Sequence, residues 1–127
     1  MVYSYKKIRM EGDEMMSVRE FIVNVSPTKA MESIETYVVE GSVSGTLVDR
    51  YARQVGEHEI HVLILEKYYM RSNNRASLTV TIDNFGGDTK VHAVASGGSE
   101  GVFFRFDWGA GNSFANSVEA ALEPYIV

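Results

Sequence analysis

With 127 residues, no cysteine and a formal net charge of −5, the chain has the length of one ordinary domain and no means of forming a disulfide or a thiolate metal site. Its acidic groups are dispersed, and no basic run is longer than Lys6-Lys7, which argues against a nucleic-acid partner. The longest clean apolar run, Val62–Leu65, is far below the roughly 20 residues of a membrane helix.

Residues 1–16 carry Lys6, Lys7 and Arg9, then Glu11, Asp13 and Glu14, without the apolar stretch of a secretory signal. A cytoplasmic protein with no membrane partner is expected. The same segment shows no sustained period. It reads either as a flexible arm or as a mis-assigned start, with Met15 or Met16 as the true first residue. Residues 17–127 read as a single α+β domain.

Ser17–Val25 is predicted as the first strand, with Phe21, Val23 and Val25 on one face. Ser26-Pro27 signals a helix start, since Ser26 can accept from a free N–H and Pro27 suits the first helical position. Ala30, Ile34 and Val38, with Met31 and Tyr37, form the helical stripe, which Gly41 ends. Val43–Tyr51 is predicted as the second strand. Leu47, Val48, Tyr51 and Val55 also fit a helical period, and Gly45 tilts the reading toward an extended chain.

Ile60–Tyr69 is rich in strand-forming residues. The segment 71–74 is a turn. Arg75–Phe85 follows as a strand with Ala76, Leu78, Val80 and Ile82 facing inward. Thr89–Ser96 places Val91, Ala93 and Ala95 on one side. Val102–Trp108 reads as a last strand with Val102, Phe104, Phe106 and Trp108 in step. A terminal helix follows, capped by Asn112 or Ser113, with Phe114, Val118, Ala121 or Leu122, and Tyr125 as its stripe. The expected architecture is a curved antiparallel meander of five or six strands with two helices on one face, in the order β-α-β-β-β-β-β-α.

This order resembles a reduced helix-grip fold, as found in START-related and plant-allergen-related lipid-binding domains. Such domains usually carry two helices after the first strand. The single helix here argues against a large internal cavity. The segments Glu66–Leu78 and Phe103–Gly111 are also similar to those of a small uncharacterised bacterial family, mostly Gram-positive. That resemblance implies no activity, cofactor or catalytic residue.

Motifs for chemistry are sparse. His58, His61 and His92 lack a metal-ligand spacing, although His61 and His92 have the placement to meet across a sheet. No nucleophile elbow or phosphate-binding loop is present. If Glu66 shares the inner face of Ile60, Val62 and Ile64, it needs a partner, and an ion pair among Glu66, Arg75 and Arg105 is expected.

The approach to the terminal helix is the best candidate site. Gly109, Gly111, Asn112 and Ser113 would set free N–H donors beside Trp108, with Arg105 adding charge and Tyr68 a further ring. Tyr69, Phe103 and Phe106 are further candidate rings. This pattern suits a small apolar or amphipathic molecule with a polar end, bound without catalysis or cofactor. The alternative is a structural protein that self-associates, as a homodimer, through exposed aromatics or an open sheet edge. An enzyme is the weakest reading.

Overall fold

The computed structural model describes residues 16–41, 45–69, 74–97 and 114–127, and among them lie five strands and two helices. Strand β1 spans Met16–Val23, helix α1 Pro27–Glu35, β2 Thr46–Val55, β3 His58–Tyr69, β4 Asn74–Asp83 and β5 Thr89–Gly97. Residues 114–122 form helix α2, and a 3-10 turn, Glu123–Tyr125, follows.

Local signals explain where the elements start and stop. The Ser26 hydroxyl accepts from the Lys29 N–H at 3.1 Å, and Pro27 opens α1. A π-helical turn, Thr36–Glu40, prolongs α1 so that Val38 continues the stripe of Ala30 and Ile34. A two-residue turn, Gly56-Glu57, joins β2 to β3. Gly56 has φ +60°, as a tight hairpin requires.

All neighbouring strands are antiparallel, in the order β1-β5-β4-β3-β2. Short connections produce the β2–β5 meander, and β1 docks on β5. Among the described strands, the edges are therefore β1 and β2.

One face of the sheet carries the core. Leu63 and Leu65 of β3, Ala76, Leu78, Val80 and Ile82 of β4, and Val91, Ala93 and Ala95 of β5 are buried there. They meet Ile34 and Val38 on the first helical segment and Phe114, Val118 and Leu122 on α2. Each large side chain removed from water this way contributes about 1.5–3 kcal/mol before entropy is counted.

The predicted inner faces of β1, β4 and β5 and the stripes of both helices match this core. In β3 the sides are reversed. The buried set is His61, Leu63 and Leu65, so Ile60, Val62, Ile64 and Glu66 lie on the outer face. Glu66 makes an ion pair with Arg75 at 3.3 Å, one of the expected pairings, but on the exposed face. The segment 46–55 is a strand, not a helix. Its alternation is broken because Val48 is the extra residue of a bulge between Leu47 and Asp49. The predicted strand Val102–Trp108 lies outside the described residues.

Candidate functional site

The two sheet edges differ. Near its C-terminal end β1 is covered by the chain terminus. Ile126 bridges Val23, the Asn24 N–H donates to the Tyr125 carbonyl at 2.8 Å, and the Val127 N–H donates to the Ile22 carbonyl at 3.0 Å. Among the described strands, β2 pairs only with β3. Among the described residues, no backbone hydrogen bond leaves its other side.

The sequence of β2, TLVDRYARQV, places large side chains on this open strand. Val48, Tyr51 and Val55 are 53%, 49% and 78% exposed. Asp49, Tyr51 and Arg53 pair with Ile64, Val62 and Ile60 of β3. All three therefore belong to the face away from the helices. Arg53 donates from Nε to the Tyr51 hydroxyl at 2.7 Å, with its guanidinium 5.5 Å from the ring centre. Among the described residues, Asp49 has no ion-pair partner. On the opposite face Arg50 is tied back to Glu35 of α1 at 2.8 Å. The strand thus offers unpaired backbone groups, an ordered aromatic–guanidinium pair and an unpaired carboxylate.

Three polar clusters lie elsewhere. At the start of α1, the Glu59 carboxylate accepts from the Thr28 hydroxyl at 2.7 Å and from His61 Nε2 at 2.9 Å. A carboxylate only accepts, so Nε2 carries the ring proton. The hydrogen bonds from His61 and then Thr28 hold the Glu59 carboxyl below its ordinary range. Across the outer face, Glu20 meets Lys90 at 3.0 Å and His92 at 3.1 Å. Burial pushes the Glu20 carboxyl up, but the bonds from Lys90 and His92 outweigh it, and the net shift is downward. Arg19 joins β1 to Asn116 and Glu119 of α2. In each cluster a carboxylate is paired with a basic group.

His61 and His92 do not meet, because they lie on opposite faces of the sheet. His58 stacks on Phe85 with ring centres 5.9 Å apart. No group of three or more metal-ligating side chains occurs among the described residues. No described helix is long and apolar enough to cross a membrane.

A family model of unknown function, DUF6054, matches residues 16–126. The chain belongs to the DUF6054 family. No curated protein matches it. The DUF6054 match spans all five strands and both helices, as well as the candidate ligand site predicted from sequence.

Of that predicted site, Tyr68 is half-exposed on the outer face of β3. Tyr69 packs against the core on the other face, so these adjacent rings cannot line one pocket together. Arg105, Trp108, Gly109, Gly111, Asn112 and Ser113 lie outside the described residues, as do Phe103 and Phe106. Among the described residues, a surface groove of about 400 Å³ lies between the first helical segment and α2, lined by Lys29, Glu32, Ser33, Thr36, Tyr37 and Ala121.

Sequence reasoning missed Arg19, Glu59 and the charges of β2 as a set. Arg19 had a local signal: it sits two residues before Phe21, on the same strand face. For β2 the deciding fact is its place at an edge, which no local pattern encodes.

Proposed function

We propose that this DUF6054 domain is a non-catalytic interaction module that accepts an extended polypeptide segment on the free edge of β2. The observation that carries this reading is the side of β2 left without a hydrogen-bond partner among the described residues, beside the exposed Val48, Tyr51 and Val55. An added strand satisfies the edge N–H and C=O groups, and side-chain contacts then supply selectivity. Long open edges are normally covered or blunted. β2 has one bulge and several charges, yet it keeps apolar side chains on its surface. The setting we propose is the bacterial cytoplasm.

The test is an NMR titration of dilute, isotope-labelled protein with a peptide of alternating threonine and valine, ended by lysines. Outward-directed amides of β2 are expected to shift and to gain protection from hydrogen exchange. Shifts confined to other elements, or none at all, would overturn the reading.

A second reading keeps a small, partly apolar ligand of the kind bound by helix-grip domains. The groove beside Tyr37 and Ala121 supports it, since it lies between the two helical segments. In this reading Trp108, Gly109, Gly111, Asn112, Ser113 and Arg105 hold the polar end of the ligand. Trp108 is the single tryptophan, so its fluorescence reports directly on titration with fatty-acid-like compounds. A flat titration in the wild type would end this reading.

A further inference from the structure

We infer that the segment received by β2 is β2 of a second copy of this chain, in an antiparallel register centred on Tyr51. The inference rests on the reading of β2 as a receptive edge. Its new content is the partner and the register.

The charges of β2 define the pairing. Asp49 and Arg53 are four residues apart on one face. Along a strand that is about 13 Å, too far for an ion pair within one chain. In an antiparallel pair related by a two-fold axis at Tyr51, residue 49 of each copy stands opposite residue 53 of the other. Both copies then gain the same contact, so Asp49 finds a cation and Arg53 a carboxylate, twice per dimer. The two Tyr51 rings meet between these pairs, a favourable cross-strand arrangement.

Neighbouring registers fail. Centring the axis on Arg50 sets two Arg50 side chains against each other. Centring it on Ala52 sets Arg53 opposite Tyr51 and leaves Asp49 opposite Val55. An axis between Tyr51 and Ala52 is not available, because it would set outer-face residues opposite inner-face ones. Only the Tyr51 register uses every outer-face charge with the right sign. The same charges that blunt unselective edge pairing therefore favour one partner, the strand's own copy. Continuity follows, since the five-stranded sheet joins its copy across the edge with both helical layers on one side.

The absence of cysteine permits a direct experiment. Residues directly opposite in an antiparallel pair have Cα atoms about 4.5–5.5 Å apart, inside the range for a disulfide. Tyr51→Cys is expected to form a covalent dimer in a glutathione redox buffer. Val55→Cys, at a more exposed position, is expected to stay monomeric on a non-reducing gel because its copies lie about 26 Å apart. Sedimentation of the unmodified chain supplies the second readout. Asp49→Arg is expected to weaken the dimer at least about tenfold, since two attractive pairs become repulsive. Asp49→Arg combined with Arg53→Asp is expected to restore the dimer constant to within about threefold of the wild type.

A dimer indifferent to these exchanges, or cross-linking at Val55 and not at Tyr51, overturns the register. A chain that remains monomeric at about 0.5 mM overturns the dimer itself. If that monomer still binds the threonine–valine peptide at β2, the edge reading stands alone. If it does not, both fall.

Discussion

Arg19 and Glu119 link the first strand to the last helix, with Arg19 Nε 3.0 Å from the Glu119 carboxylate. The same nitrogen lies 2.8 Å from Asn116 Oδ1, and the guanidinium also donates to the Val18 carbonyl. The Arg19 side chain is only 12% exposed, whereas Glu119 is 37% exposed. The two ends of the pair therefore differ in consequence. Arg19→Ala removes the shared donor and the packed stem, and a loss of about 2 kcal/mol is expected in urea unfolding. Glu119→Gln leaves an acceptor and Asn116 in place, and the freed group reaches water. Its cost is expected to stay below about 1 kcal/mol.

Glu20 and Glu59 make the stability of the fold sensitive to acid. Both carboxyls are held below their ordinary range in the folded chain. The fold therefore favours their ionised forms. That stabilisation is complete above the ordinary glutamate value of about 4.3 and drains away as pH falls through the lower, folded values. Glu20→Gln and Glu59→Gln are each expected to flatten the stability curve below about pH 4.5. Urea midpoints at stepped pH values measure this directly. A slope unchanged in the acid range for both variants contradicts it.

The legible parts of the fold were those with one apolar side. In β4, Ala76, Leu78, Val80 and Ile82 alternate with Ser77, Thr79 and Thr81, so the inner face was evident from period two alone. β3 is apolar on both parities. Its buried face is set by the partners that register supplies, Leu63 opposite Val80 and Leu65 opposite Leu78, and sequence order could not reveal them. In β2 the bulge at Val48 shifts the faces by one residue, which produced the helical spacing of Leu47, Val48, Tyr51 and Val55. The importance of Asp49 and Arg53 is likewise non-local, because it depends on which strand ends the sheet.

Gly45 and Gly56 serve different needs, and alanine separates them. A Cβ on Gly45 would lie 2.6 Å from Val38 Cγ1. Val38 is fully buried and stiff at χ1, so it cannot step aside freely. Gly45→Ala is expected to cost about 1–3 kcal/mol through overpacking. A Cβ on Gly56 meets nothing within 4 Å, but φ is +60°. Gly56→Ala is expected to cost about 1 kcal/mol, from backbone conformation alone. A further Val38→Ala change should relieve the first variant and leave the second unaffected, as thermal melts would show.

Residues 1–14 lack an apolar period, and the family match begins at residue 16. Deleting Met1–Glu14 is expected to lower unfolding stability by less than about 2 kcal/mol. A larger loss in urea titration would make the segment a structural element.

His61 is a buried polar residue that the fold uses on one side only. Its Nε2 faces Glu59 at 2.9 Å and Thr28 at 3.4 Å. Its Nδ1 is buried and has no hydrogen-bond partner among the described residues. The expected tautomer carries its proton on Nε2, because a proton on Nδ1 would be a buried donor without an acceptor among the described residues. Nitrogen chemical shifts from long-range correlation spectra identify that tautomer directly. The same geometry fixes the response to substitution. His61→Leu removes the Nε2 bond but also the desolvated Nδ1, and Thr28 still donates to Glu59 at 2.7 Å. No charged group is stranded, so the change is expected to stay within about 1 kcal/mol of the wild type. Leu63→Ala, two residues along the same face and fully buried, leaves a cavity and is expected to cost about 2–5 kcal/mol. If His61→Leu proves as damaging as Leu63→Ala, Nδ1 has a partner that matters, and the one-sided account of His61 is wrong.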